Sequence, residues 1–403
     1  MTQRMSDFVP SSCELLALGE PAHREPGFAL LRNELFAQLA EHGFRSIALE
    51  SDRVAALAVN DYVRGGPGSL DDVLRSGLSH GFGEMAANRE LVAWLRTYNA
   101  ERPAAEHVTF HGFDAAMETM SAPSPRRYLE FARDYLELDL DITDLVGEDE
   151  RWSRTEAIMD PAESPGATVE ADRVRVLADD LLVTMYSRAP ERIAVTSYAE
   201  WRRAAIHLTA ALGLLRYHRQ AAQPLDASAR WSRLSATRDA LMAQNLLDIR
   251  TGEARRGPTV VFAHNLHLRR TPSSMRMGPM DLTWAGAGEI VGALLGDRYA
   301  VVLGSLGRSD ILALGDPAPG TYERALQDGI ETWGLTPASA VAVAGTRTDT
   351  TPAQGYFPLD ADTVAGADAI LHLSVGEPSS DNGYERYLDH ARREAAQAMA
   401  ARS

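Results

Sequence analysis

Four short apolar runs, each closed by ionisable residues, limit what this chain can become. They are CELLALG with Glu20 and His23 just beyond it, FRSIAL with Glu50, HVTF with His111 and Asp114, and PTVVFA with His264 and His267. Runs of this length read as strands, and amphipathic stretches such as GFALLRNELFAQLAEHG and ANRELVAWLRTYNAE lie between them. Strands alternating with helices make βα units, so the expected fold class is α/β. It has three layers, a mainly parallel central sheet flanked by helices. Ligands of such sheets bind beyond the carboxyl ends of the strands. Four strands that deliver carboxylates or imidazoles to that edge predict a cluster of acid–base residues there.

Residues 1–120 read as an N-terminal α/β part. SAPSPRR is a Pro/Ser-rich joint, and residues 121–225 read as a helical insertion or cap. Within it EDERWSRTEAIMDPAESPGATVEADR is charged and broken by two prolines, which predicts a mobile loop over roughly 150–172. Residues 226–403 read as a C-terminal α/β part completing the same core, with RYAVVLGSLG, AVAVAG and ADAILHLSVG as further strands. Two motif matches fail on context. GLSHG around Ser79 fits a nucleophile elbow, but a helical pattern precedes it where a strand is needed. GAGEIVG has one residue too many for a dinucleotide loop, and DLTW before it is a poor strand.

Composition narrows the chemistry. The 40 basic residues are all arginine, which excludes a Schiff-base lysine and a P-loop lysine. Cys13 is the only cysteine, so no intrachain disulfide and no thiolate zinc cluster can form. A net charge of −16 without a basic block argues against a nucleic-acid partner. No apolar run approaches the ~20 residues of a membrane span. MTQRMSDFVPSS lacks the features of a signal peptide, and the expected location is cytoplasmic.

GEPAH at 19–23, GFRSIALE at 43–50, RDALMAQN at 238–245 and FAHNLH at 262–267 resemble, in order and separation, the motifs of the erythromycin esterase family. The resemblance covers the α/β parts at both ends and not the helical middle. It implies metal-independent opening of a macrolactone by water. The histidine of the first motif, His23, is then the general base. Glu50, His264, His267 and Arg238 map onto the other motif positions. Members commonly continue the first motif as THG with a glutamate four residues after the histidine. Here Arg24 follows His23, Gly27 stands at that fourth place, and Glu25 lies two residues early.

On this reading His23, Glu20, Glu50 and His264 are the candidate catalytic residues. Arg238, His267, Arg24 and Asp114 are the candidates to bind substrate and oxyanion. Neutral His23 takes a proton from water, Glu20 or Glu50 steadies its cation, and Arg238 with a histidine stabilises the oxyanion. No covalent intermediate and no cofactor is required. The expected substrate is a bulky, mostly apolar lactone or ester of macrolide or polyketide type, with neither nucleic acid nor membrane as partner. The same residues would also serve a lyase, cyclase or dehydratase. A further alternative, ranked below these, is a metal site on the same histidines and carboxylates, or a non-catalytic metal- or haem-binding protein, since families with a similar first motif include metal- and haem-associated members.

Overall fold

Every residue of strands β1 (Leu15–Glu20), β2 (Ser46–Asp52) and β4 (Thr259–His264) is buried. Strands with no exposed face must be covered on both sides, which is why they read as unbroken apolar runs. The computed structural model describes residues 5–118 and 120–378, with Asp389, Arg393 and Gln397 beyond them. Its main sheet has seven strands in the order β3-β2-β4-β1-β7-β9-β8. The remaining members are β3 (Thr109–Asp114), β7 (Tyr299–Arg308), β8 (Trp333–Pro337) and β9 (Ala369–Val375). All neighbours are parallel except β8, which runs antiparallel to β9 at the edge. A separate hairpin joins β5 (Ser273–Met277) to β6 (Met280–Trp284).

The pleat sends alternate side chains to opposite layers. Leu16, Leu18, Ile47 and Phe262 meet α1 (Pro26–Glu41), α2 (Ala56–Val63), α3 (Leu70–Gly77) and α4 (Ala86–Ala100). Glu25 caps α1 by accepting from the Gly27 amide at 3.2 Å, with Pro26 in the first turn. A row of helices follows β3: α5 (Arg126–Leu136), α6 (Ile142–Val146), α7 (Glu150–Ser153), α8 (Glu156–Met159), α9 (Val169–Ser187), α10 (Ala189–Val195) and α11 (Tyr198–Ala221). They close on a core of their own around Tyr128, Trp152, Val174 and Leu208. The long α12 (Ala227–Glu253) returns the chain to the sheet. With α13 (Asn265–Leu268), α14 (Ala287–Leu295), α15 (Tyr322–Gln327) and α16 (Ala361–Ala365) it belongs to the C-terminal half. Leu15, Ala17, Ala48 and Val261 face α12 and α14.

Three local expectations are corrected. The segment at 150–172 is a chain of short helical turns leading into α9, because Trp152 and Ile158 are buried and hold it against the insertion core. AVAVAG is not a strand: Val343 is 97% exposed, and the place beside β9 is taken by WGLTP as β8. DLTW does form a strand, but in the hairpin, whose turn uses Gly278 at φ +59°. GAGEIVG therefore does not open a βαβ unit of the main sheet.

One side chain completes the sheet where its backbone pairing stops. β1 pairs with β7 only as far as Leu18 and Val302. Beyond that point the Asn265 amide donates to the Gly304 carbonyl at 2.8 Å, and its oxygen accepts from the Gly304 N–H at 2.9 Å. Glycine at position 19 makes room, since a Cβ there would lie 2.3 Å from the Asn265 oxygen. Asn265→Ala leaves two buried backbone groups unpaired and is expected to cost about 2–4 kcal/mol, read by urea unfolding.

Candidate active site

β1, β2 and β4 all end at one edge, and the turns beyond them surround a cavity of about 320 Å³. Its polar lining comprises His23, Arg24, Glu50, His80, Ser235, Arg238, Asp239, His264 and His267. Its apolar wall is Phe82, Leu266, Met275, Trp284 and Phe357. A few convergent polar groups in an apolar cleft of this size are the ordinary form of a small-molecule site. Among the described residues the helical insertion contributes nothing to this lining.

His23 and Glu20 form a dyad across the β1–α1 turn. The ring Nδ1 donates to Glu20 Oε1 at 2.7 Å, which leaves Nε2 on the cavity side, 3.8 Å from Glu50 Oε1. The ring packs on Phe82 and on His264, with centroids 5.3 Å and 5.2 Å away. Burial disfavours the charged ring, but Glu50 and Glu20 outweigh it, and the His23 pKa lies above its ordinary value. Burial likewise raises the Glu20 pKa, against the opposing pull of His23.

Glu50 is the hub. Its Oε1 lies 3.1 Å from Arg238 Nη2 and 3.3 Å from His267 Nε2, while its Oε2 accepts from the His264 backbone N–H at 2.9 Å. Burial alone would raise this carboxylate's pKa. His267, His23 and Arg238 together drive it well below the usual range. His267 is gripped from its other side by Asp239, whose Oδ1 accepts from Nδ1 at 2.8 Å. Burial opposes the imidazolium, yet Asp239 and Glu50 raise the His267 pKa to about 10. Asp239 also accepts from the Trp284 indole N–H at 2.9 Å and the Ala287 N–H at 2.7 Å, tying α12 to the hairpin and α14.

The other predicted residues take different places. His264 is held by backbone: Nε2 donates to the Pro21 carbonyl at 3.2 Å and Nδ1 accepts from the Leu266 N–H at 3.3 Å. Burial, reinforced by the charge of His23, pushes its pKa down to about 3, so the ring stays neutral. Asp114 does not line the cavity. It holds Arg238 through Nε at 3.0 Å and Nη2 at 2.5 Å, and these contacts keep its pKa low despite burial. Arg24 stands at the mouth and donates to the Ala353 carbonyl at 3.2 Å. His111 lies apart, bonded to Glu253 at 2.9 Å and Arg53 at 3.1 Å, a packing histidine.

His80 escaped the sequence reading although GLSHG was singled out. The serine of that motif is a backbone clamp, with Ser79 Oγ accepting from the Asp52 N–H at 2.9 Å. It is the histidine that reaches the cavity. At φ +58° His80 adopts the left-handed region, packs against Phe82, and donates from Nε2 to Asp114 at 2.8 Å. The hairpin's Trp284 and the Phe357 loop were also missed, because nothing local marks them as neighbours of His23.

A family model described as erythromycin esterase matches residues 39–398, a span that begins after GEPAH. Solved structures share the fold. One is an erythromycin esterase mutant, EreC, in its open conformation: 19% identity, 94% of each chain covered, TM-score 0.66. A protein from Bacillus cereus is 17% identical over 93% of this chain and 91% of that one, with a TM-score of 0.65. A succinoglycan biosynthesis protein is 16% identical over 93% and 91%, with a TM-score of 0.63. At these identities the likeness is one of fold. No curated protein matches the sequence.

Histidine NMR titration is expected to separate three rings in the folded protein. His267 stays protonated until about pH 10 and His264 neutral down to about pH 3, while His23 titrates above 6.5. For His267 the folded pKa exceeds the unfolded one. Its contribution to stability is complete below about pH 6.5 and is lost as pH rises towards 10. Asp239→Asn should lower the His267 midpoint and flatten that loss. An unchanged midpoint would disprove the assignment.

Proposed function

Because the chain belongs to the erythromycin esterase family, we propose that it is an ester hydrolase in which His23 activates water against a lactone or ester carbonyl. The observation that carries this reading is the polarity of the His23 ring. Glu20 lies against Nδ1 at 2.7 Å, and Nε2 is on the side of a cavity where Arg238 and the His267 imidazolium converge on Glu50.

In the proposed reaction water gives a proton to His23 Nε2 as its oxygen attacks the carbonyl carbon. The carbonyl oxygen takes the negative charge and draws on the Arg238 and His267 cations. The C–O bond to the alcohol then breaks, His23 returns the proton to the leaving oxygen, and an acid and an alcohol result. Glu50 and Asp114 orient the cations, and Glu20 keeps His23 in the reactive tautomer. His264 supports this reading as a neutral packing partner of His23, in place of the acid–base role its sequence position implies. Phe82, Phe357, Trp284, Leu266 and Met275 favour an apolar substrate body, with Arg24 at its rim.

No metal is assigned a step. The carboxylate that would be the natural ligand, Glu50, is already committed to Arg238, His267 and the His264 amide. Arginine and imidazolium supply the charge that a Lewis acid would otherwise provide.

The test uses purified protein, wild type and His23→Ala, with a panel of macrolactones and polyketide esters in ¹⁸O-labelled water. Wild type is expected to add one labelled oxygen, with or without chelator. His23→Ala should lower kcat/KM by about 10²- to 10⁴-fold. Activity should rise with pH as His23 loses its proton above 6.5 and fall near pH 10 as His267 loses its own. An unlabelled product would replace hydrolysis by an elimination or cyclisation at the same base. Chelator-sensitive turnover would overturn the metal-free mechanism.

A further inference from the structure

α9 carries an apolar row on the face opposite the one it buries. Ala171, Val174, Ala178, Leu181 and Met185 fill the insertion core. On the far side Val169, Val176 and Val183 are 63%, 63% and 67% exposed. Seven-residue spacing keeps the three nearly in line, over about 21 Å. Outward positions of a helix whose own core is already filled are normally polar. The insertion also contributes no described residue to the cavity lining, so substrate contact does not account for the row.

The charges beside the row say what covers it. Arg173 and Asp180 lie on one flank, both exposed, and among the described residues neither has an ion-pair partner within the chain. They are themselves seven apart. We propose that α9 pairs antiparallel with α9 of a second copy of this chain, with Val176 on the two-fold axis. An antiparallel two-fold brings equal flanks together. Val169 then meets Val183 of the second copy, and Arg173 meets its Asp180, in both directions. On the other flank Asp172 sits between Arg175 at 3.0 Å and Arg219 at 2.8 Å, and this net positive group faces Asp179 of the second copy. A face complementary to itself is what a closed dimer requires. A single helix pair lies at the small end of specific interfaces, so the dimer is weak and concentration-dependent.

This surface is remote in composition from the cavity, and the inference does not depend on the hydrolytic reading. Sedimentation of the full chain from about 1 to about 200 µM tests it, because mass action makes a weak dimer visible only across such a range. Wild type should pass from monomer to dimer. Val176→Glu places two carboxylates on the axis and should raise the dissociation constant about tenfold or more, whereas Val343→Glu at another exposed site should leave it unchanged. Arg173→Asp should weaken the dimer, and combining it with Asp180→Arg should restore it. A wild type that stays monomeric throughout, a dimer indifferent to Val176→Glu, or a charge swap that fails to rescue would each overturn the proposal. Should Val176→Glu fail to fold, the charge-swap pair decides alone.

Discussion

The site depends on how a carboxylate is kept ionised inside the protein. Glu50 closes a strand buried on both faces, where an isolated anion would cost several kcal/mol. Three groups remote from it in sequence meet that cost together: Arg238 from α12, and His267 and the His264 amide from the continuous stretch of β4 and α13. Arg238 and His267 have second carboxylates in Asp114 and Asp239, but Glu50 is stable as a buried anion only with these three partners in place. Folding the C-terminal half onto the N-terminal half and assembling the site are therefore one event. His23 is added to this hub from the turn after β1, its Nε2 3.8 Å from Glu50 Oε1 and close enough to feel its charge.

The same arithmetic divides three similar rings into different kinds of group. His267 has a carboxylate on each nitrogen and becomes a fixed cation. His264 has backbone on each nitrogen and a cation-forming ring beside it, and becomes a neutral spacer. His23 has the Glu20 carboxylate on Nδ1 and lies 3.8 Å from Glu50 through Nε2, and its pKa is raised without fixing it as a cation. Chemical role follows here from what each nitrogen touches.

That distinction marks the limit of what the sequence discloses. The layers, the parallel strands and the gathering of acid–base residues at one edge follow from period and strand ends, since burial on both faces writes itself into an unbroken apolar run. Which residues contact the cavity does not, because it is decided by long-range packing. His80 sits after a helix in a left-handed turn, with no strand to announce it. Trp284 arrives on a hairpin whose polar, Met-rich strands lack an apolar run, and Asp239, although it follows Arg238 in RDALMAQN, lies midway along α12 with nothing local to pair it with His267. AVAVAG misled for the opposite reason: β-prone composition yields a strand only where a neighbour offers an edge, and WGLTP had taken the one beside β9. The 150–172 segment misled because prolines break long helices and yet leave short turns that Trp152 can anchor.

The cavity is built from two sources, and they differ in what change they tolerate. The reactive groups hang from central strands and the long α12, where any shift is felt through the core. The apolar wall comes largely from Met275 and Trp284 on a hairpin outside the main sheet and from Phe357 in a loop. Substitution at Met275 or Phe357 changes the wall without touching a partner of the buried anion, whereas Trp284 also donates to Asp239, which holds His267. A lineage with this architecture can change what it accepts while keeping how it reacts. Close kinship in fold would then say little about diet, and relatives would be told apart by their rims.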